Sequence, residues 1–340
     1  MVSVVISAYK NDRFLIEAIN SVVKSAKNNN YEILLGVDNC QVTMSGLIKN
    51  KNLLPNTLKI YYFPKVGTYV IRNTLANIAK YENLIFFDSD DIMNDVTFDE
   101  TIKALRNNDV AKFKYALFYN NFDWNRVNTY QKSNGYHYGC FAIRKKSFLD
   151  LNGFEPWVCA ADGEFKWRTE SNGYKIFGVE KLGFYYRRHN TNLTVQGNTG
   201  MKSPIRKYYH KIRDEKAKNN QNQKLEKLNI VDCMPVDIKN IENFQKSLQD
   251  QKFFNPYSPP TDSEITNQNF DISKQQKTKM IQKVFESTQK NLSVINYEQI
   301  NRNNPNHVKR QTITETKPNN LREKNLSSWK DRFSNVRKSL

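Results

Sequence analysis

Apolar positions fall along this chain in two alternating rhythms. Val2, Val4, Val5 and Ile6 form a nearly continuous β-branched run, the pattern of a strand covered on both faces. Polar residues 9–12 interrupt it, and Phe14, Leu15, Ala18, Ile19, Val22 and Val23 then recur at helical spacing. Residues 32–37 predict a second strand ending at Asp38, and residues 58–63 a third. Val70, Ile71, Leu75, Ala76, Ile78 and Ala79 return to the helical period. Residues 84–87 predict a fourth strand that runs straight into Asp88-Ser89-Asp90-Asp91. Thr97 followed by Glu100 predicts a capping box at the next helix start. This alternation predicts an α/β fold: a mostly parallel, Rossmann-like sheet flanked by helices.

Past Lys112 the rhythm loosens. Residues 113–119 and 136–143 predict strands, residues 163–172 a helix, and residues 175–179 and 184–187 two short final strands. Residues 206–228 are heavily charged, as an exposed helix would be, and residues 256–260 carry three prolines of a turn or linker. Met280, Ile281, Val284, Phe285, Thr288 and Leu292 have the spacing of a short helix that docks on a partner. Residues 300–325 have the composition of a disordered segment. The expected organisation is one domain over residues 1–204, with halves at 1–111 and 112–204. A basic Asn/Lys-rich tail follows over 205–340, largely disordered with short helices.

Charge sharpens that division. The chain has 340 residues, 52 Lys+Arg against 34 Asp+Glu, a net charge of +18 and 39% hydrophobic residues. Residues 1–200 carry a net +6 and residues 201–340 a net +12. No apolar run reaches the roughly 18 residues of a membrane span, so no transmembrane segment is expected. The apolar start lacks the basic region and cleavage site of a signal peptide. Cys40, Cys140, Cys159 and Cys233 are widely spaced without a C-x-x-C pair, against a zinc site or a disulfide framework. A soluble, reduced, cytoplasmic protein is expected.

An open α/β sheet binds ligands outside the carboxyl ends of its strands. The polar residues there are Ser7-Ala8-Tyr9, Asp38-Asn39 and Asp88-Ser89-Asp90-Asp91. Three carboxylates in four residues repel one another unless a cation lies between them. Hard ions such as Mg²⁺ or Mn²⁺ take oxygen ligands and share their sites with phosphates. The plainer alternative is a solvated acidic turn that caps the next helix.

Six blocks in order resemble the family 2 glycosyltransferases, with their GT-A fold. They are residues 2–9, 32–38, 67–73 (Gly-Thr-Tyr-Val-Ile-Arg-Asn), 86–91 (Phe-Phe-Asp-Ser-Asp-Asp), 139–154 (ending Leu-Asn-Gly-Phe) and 185–190 (Tyr-Tyr-Arg-Arg-His-Asn). The resemblance spans about residues 2–195 and implies sugar transfer from a nucleotide-sugar donor, most often a UDP-sugar, with a divalent metal, Mn or Mg. It makes residues 1–111 the nucleotide-sugar half and 112–204 the acceptor half. Ala8 and Tyr9 would line the nucleotide pocket, Asp38 would meet the base, and Arg72 would lie against the nucleotide, its planar guanidinium suited to bidentate contacts. Arg72 could equally be an ordinary helix-surface arginine. Asp88 and Ser89 would border the donor; Asp88, Asp90 and His189 would hold the metal, with Asp91 in support. Ser7 stands where the family often has Pro, and Asn39 where it often has a second Asp.

Inverting transfer needs a general base for the acceptor hydroxyl. The family carries it in an acidic pair at a helix start after the Gly-Phe block. Here Asp162 aligns, with Glu164 in reserve, because Ala161 occupies the first position of the pair. Asp162 could instead be a simple helix cap. Trp157 and Trp167 could stack on a sugar or pack in the core, while His137 and the cysteines attract no role. The expected acceptor is a glycan hydroxyl. The basic tail leaves room for nucleic acid or an anionic surface as a partner, and hence for transfer to hydroxymethylated bases in DNA. A third reading is a non-catalytic binding module on a degenerate transferase fold.

Overall fold

The computed structural model describes residues 1–119, 130–219 and 224–248, together with Tyr257, Pro260 and Ile265. Among these, β1 (Val2–Ala8), β2 (Tyr31–Asp38), β3 (Leu58–Phe63) and β4 (Asn83–Asp88) run parallel, with β1 between β4 and β2. Helices α1 (Leu15–Ala26), α2 (Gln41–Lys49) and α4 (Thr97–Ala104) cover one face of the sheet, burying Leu15, Ile19, Val22, Met44, Leu47 and Phe98 against Val4, Ile6, Ile33 and Leu35. Helix α3 (Thr68–Ile78) covers the other through Val70, Ile71 and Leu75, packed with Val5, Leu34 and Phe86. Double covering explains why β1 is buried at every position.

The remaining strands widen the sheet beyond β4. β7 (Tyr130–Arg144) runs antiparallel to both β4 and β6 (Val110–Tyr119), and β8 (Ile176–Arg188) runs parallel to β6 and antiparallel to the short β5 (Ile92–Met93). The full order is β5-β8-β6-β7-β4-β1-β2-β3-β9. Helices α5 (Lys145–Asp150) and α6 (Ala161–Ser171) lie on the α3 side, where Phe86, Phe141, Phe148, Phe154 and Phe165 pack ring on ring.

Several expectations change. The two short strands at 175–179 and 184–187 are one strand, β8, running through the exposed Glu180 and Lys181 and on through Leu182 and Gly183. Gly183 lets it pass β6, since a β carbon there would stand 2.4 Å from the Phe113 β carbon. Thr97 does not cap α4: Val96 holds that position, and the Thr97 hydroxyl donates to the Gly183 carbonyl at 2.5 Å. The fold also continues past residue 204. Ser203 caps α7 (Pro204–Lys218), accepting from the Arg206 amide, and α7 buries Tyr209. β9 (Met234–Val236) adds an antiparallel edge to β3, and α8 (Ile241–Ser247) lies against α2. The sheet thus recruits its last strand from what composition alone marks as tail. The segments 280–292 and 300–325 lie outside the described residues. No helix among the described residues is long and apolar enough to cross a membrane.

Candidate functional site

The sheet order β4-β1-β2 brings three strand ends side by side, with Ser7 opposite Asp88 and opposite Gly36. Ala8 closes β1, buried, and Tyr9 stands exposed beyond it with the Lys65 ammonium 3.1 Å above its ring. Asp38 is buried and already well occupied. Its carboxylate accepts from the Val66 amide at 2.8 Å, the Gly67 amide at 3.2 Å and the Lys65 ammonium at 2.8 Å. Asp38 therefore clasps the loop into α3, where Gly67 sits at φ +85.

From that clasp α3 reaches every side of the crevice. The Thr68 and Ser7 hydroxyls are 2.9 Å apart. The Tyr69 hydroxyl donates to Asp162 Oδ1 at 2.9 Å, and Arg72 donates to Asp88 Oδ1 at 2.5 Å. Asn73 donates to the Phe154 carbonyl and accepts from the Phe154 amide, both at 2.8 Å. Arg72 is 2% exposed, so it is no helix-surface arginine, and its Nε has no hydrogen-bond partner among the described residues. A buried donor without a partner is costly, which suits a ligand or water at that point.

The acidic turn is held from several directions. Asn11 donates to both the carbonyl and the hydroxyl of Ser89, at 2.7 and 3.0 Å. Asp91 is fully buried; Oδ1 accepts from the Arg187 amide, and Oδ2 has no partner among the described residues. Burial, reinforced by the charges of Asp90 and Asp88, pushes the Asp91 carboxyl well above its usual range. Burial and then the Asp90 charge raise Asp88 too, against the pull of Arg72. Arg187, also fully buried, donates to the Asp90 carbonyl and to Glu17, between the rings of Phe14 and Phe118. Phe14 in turn packs on the His189 ring, 4.9 Å between centroids.

His189 Nε2 stands 2.8 Å from Asp90 Oδ2, and the Asn192 side-chain amide reaches both. That spacing leaves room for one proton, or for a shared metal: adjacent ligands at about 2.1 Å around an octahedral ion stand about 3 Å apart. Carboxylate oxygen is a donor for Mn²⁺ or Mg²⁺, while imidazole nitrogen favours the transition metal. The residues fit such an ion, with one difference from expectation. Asp90 and His189 converge, but Asp88 turns one oxygen to Arg72, and no group of three or more metal-ligating side chains forms among the described residues.

Asp162 lies half-buried in the first turn of α6, which follows Ala160 in the left-handed region at φ 67. It does not cap that helix. One oxygen takes the Tyr69 bond, and Oδ2 has no hydrogen bond to a described residue. Glu164, the expected reserve, belongs elsewhere. It is fully buried, with both oxygens bound to Arg168, which also donates to the Leu151 and Gly153 carbonyls. That carboxylate is a structural ion pair closed to an acceptor. Trp157 lies flat on Tyr209 at 4.6 Å, so α7 takes one of its faces. Two surface grooves, of about 560 Å³ and 360 Å³, lie away from these strand ends, by Arg144 and Tyr174 and between β3 and β9.

Sequence reasoning missed Tyr69, Asn11, Arg187 and Asn192, and gave His137 no role. Arg187 lies within the block at 185–190 and Asn192 two residues past it, and that position was the available signal. His137 accepts from the Gly139 amide and stacks by Tyr186, 4.8 Å between centroids. A β carbon at Gly139 would stand 2.6 Å from both Asp88 Oδ2 and His137 Nδ1, which puts the imidazole beside the acidic turn.

Solved structures resemble this chain to differing degrees. Residues 1–349 of S. aureus TarS in complex with UDP-GlcNAc are 19% identical, with a TM-score of 0.50 over 66% of this chain and 68% of that one. The same protein with UDP gives 19% identity and a TM-score of 0.43, over 56% and 61%. The mannosyltransferase PcManGT from Pyrobaculum calidifontis, solved with GDP-Man and Mn²⁺, gives 15% and 0.48, over 63% and 64%. The chain thus spans 61% to 68% of the chains in these structures. No curated protein matches it. The TarS likeness at 0.50 is one of fold, the GT-A arrangement of a mostly parallel sheet flanked by helices. The model of the family described as glycosyl transferase family 2 matches residues 3–213, well over half of the chain, which therefore belongs to glycosyltransferase family 2.

Proposed function

We propose that the chain is an inverting, metal-dependent glycosyltransferase that moves a sugar from a UDP-sugar to a hydroxyl of a glycan. The observation that carries this reading is the union on α3 of two pairs, Arg72 with Asp88 and Tyr69 with Asp162. It sets a cation and an acidic turn for a diphosphate beside a carboxylate with one open oxygen.

In this reading Tyr9 and the Asp38 clasp bound the base, and Arg72 meets the diphosphate with its free Nε. Asp90 and His189 hold the divalent ion, which when bound stabilises negative charge on the departing diphosphate. Asp162 Oδ2 takes the proton of the acceptor hydroxyl. The acceptor oxygen then bonds to the anomeric carbon from the face opposite the diphosphate. The anomeric carbon–oxygen bond breaks, and its electron pair leaves on the nucleotide with inversion.

The test is release of UDP from a panel of UDP-sugars with Mn²⁺, water serving as acceptor where no glycan is supplied. Asp162→Asn is expected to keep donor affinity and lose about 100-fold or more in turnover, as the removal of a general base does. Undiminished turnover in that variant would exclude Asp162 as the base.

A further inference from the structure

Tyr69 crosses from the donor side of the crevice to the acceptor side. It lies in the first turn of α3, just after the loop that Asp38 clasps through the Val66 and Gly67 amides and beside the Thr68–Ser7 contact. Its ring is buried among Val66, Val70 and Phe154, 5.4 Å from the Phe154 ring, and its hydroxyl emerges against Asp162 Oδ1. Burial, then the Asp162 charge, hold the phenol proton well above its ordinary range, so the group remains a donor. A buried tyrosine with two packed torsions and one hydrogen bond has little freedom to re-aim.

On the Asp162 side the aim is otherwise loose. The carboxylate occupies the first turn of a helix, half-exposed, with Oδ2 making no hydrogen bond to a described residue. From α7, His210 and Arg213 face it: His210 feels the Asp162 charge, and an Arg213 guanidinium nitrogen lies 3.5 Å from where a Gly163 β carbon would sit. Cys159 is the neighbour from its own segment. Neither side chain makes a hydrogen bond to Asp162.

We propose that Tyr69 is a positioning residue for the transfer reaction: its hydroxyl fixes Asp162 Oδ1 so that Oδ2 meets the incoming hydroxyl. The orientation of the base is thereby set from the donor-binding loop. This rests on the assignment of Asp162 as the base.

The experiment uses the full chain and the UDP-sugar that gives the fastest UDP release with Mn²⁺. Tyr69→Phe removes the hydroxyl and keeps the ring. It is expected to lower kcat about 10- to 100-fold, the scale of a misaligned catalytic group, while donor KM and the melting temperature stay at wild-type values. Adding Tyr69→Phe to Asp162→Asn should cause no further loss, because both act through one carboxylate. If Asp162→Asn retains turnover, the base assignment fails. If Asp162→Asn collapses turnover while Tyr69→Phe keeps kcat within about twofold, the base stands and the positioning role is overturned. A Tyr69→Phe variant in which kcat, donor KM and melting temperature all worsen together would make Tyr69 a packing residue, and would equally overturn it.

Discussion

Gly139 has no room for a methyl group. Its missing β carbon would overlap Asp88 Oδ2 and the His137 ring, both at 2.6 Å; the carboxylate end can swing aside, whereas the imidazole is packed on Tyr115 and Tyr186. Gly139→Ala should therefore lower the melting temperature modestly, by disturbing the His137 packing, and shift Asp88 away from Arg72. Nucleotide-sugar affinity is expected to fall about ten-fold, the worth of one charge-assisted hydrogen bond. Calorimetric titration of UDP-sugar into both proteins checks this, and equal affinities would remove Asp88 from the donor site. Asp162 and Glu164 show what a sequence can and cannot convey at this scale. Both are acidic, and both follow the Gly-Phe block. Two positions apart on a helix, however, they stand about 200° apart around its axis, so one faces the crevice and the other the core. The identity of the partner, Tyr69 or Arg168, depends on which helices pack there, and no local pattern states it.

Helix α3 was legible as an apolar stripe of Val70, Ile71, Leu75 and Ala76, and its polar stripe now appears as the hub of the site. The first four strands were legible for the same reason, since strands covered on both faces have nothing to alternate with. Helix α2 was not: Gly46 interrupts its apolar face because Asp12 backbone lies 2.8 Å from where a β carbon would be. β8 looked like two strands because its middle, Glu180 and Lys181, is exposed. β2 offers a prediction of its own. Burial pushes the Glu32 carboxyl up, but hydrogen bonds from Lys59, Ser3 and the Lys80 amide outweigh it, leaving the group below its ordinary 4.5. A depressed carboxyl stabilises the fold above its unfolded value and loses that contribution as pH falls through the folded one. Glu32→Gln should thus cost roughly 1–3 kcal/mol near neutral pH, the penalty for a broken buried hydrogen-bond set. The gap to wild type should narrow below about pH 4.5. Thermal melts at a series of pH values check it; a constant gap would mean that Glu32 contributes through packing alone.

At the scale of the whole molecule, the family match ends at residue 213, yet the sheet and its covering helices run on through α8. Composition averaged over residues 205–340 hid this. The returning segment from 224 to 248 is apolar enough to contribute Val236, Ile241 and Leu248 to the core, with Met234, Ile238 and Phe244 packed against it, and its Lys residues are balanced by Asp and Glu. Helix α7, which starts where composition set the tail apart, packs against α6 beside Asp162. The net +18 of the chain bears on partners rather than on the fold. The central claim is that the acidic turn, Arg72 and His189 together bind a nucleotide-sugar with a divalent ion. The most direct measurement is the melting temperature of wild type and Asp90→Ala with UDP-sugars, with and without Mn²⁺, because a ligand that binds only the native state raises it with saturation. The account predicts a rise with at least one UDP-sugar that requires Mn²⁺ and disappears in Asp90→Ala. No rise with any nucleotide-sugar, or the same Mn²⁺-dependent rise in Asp90→Ala, would contradict it.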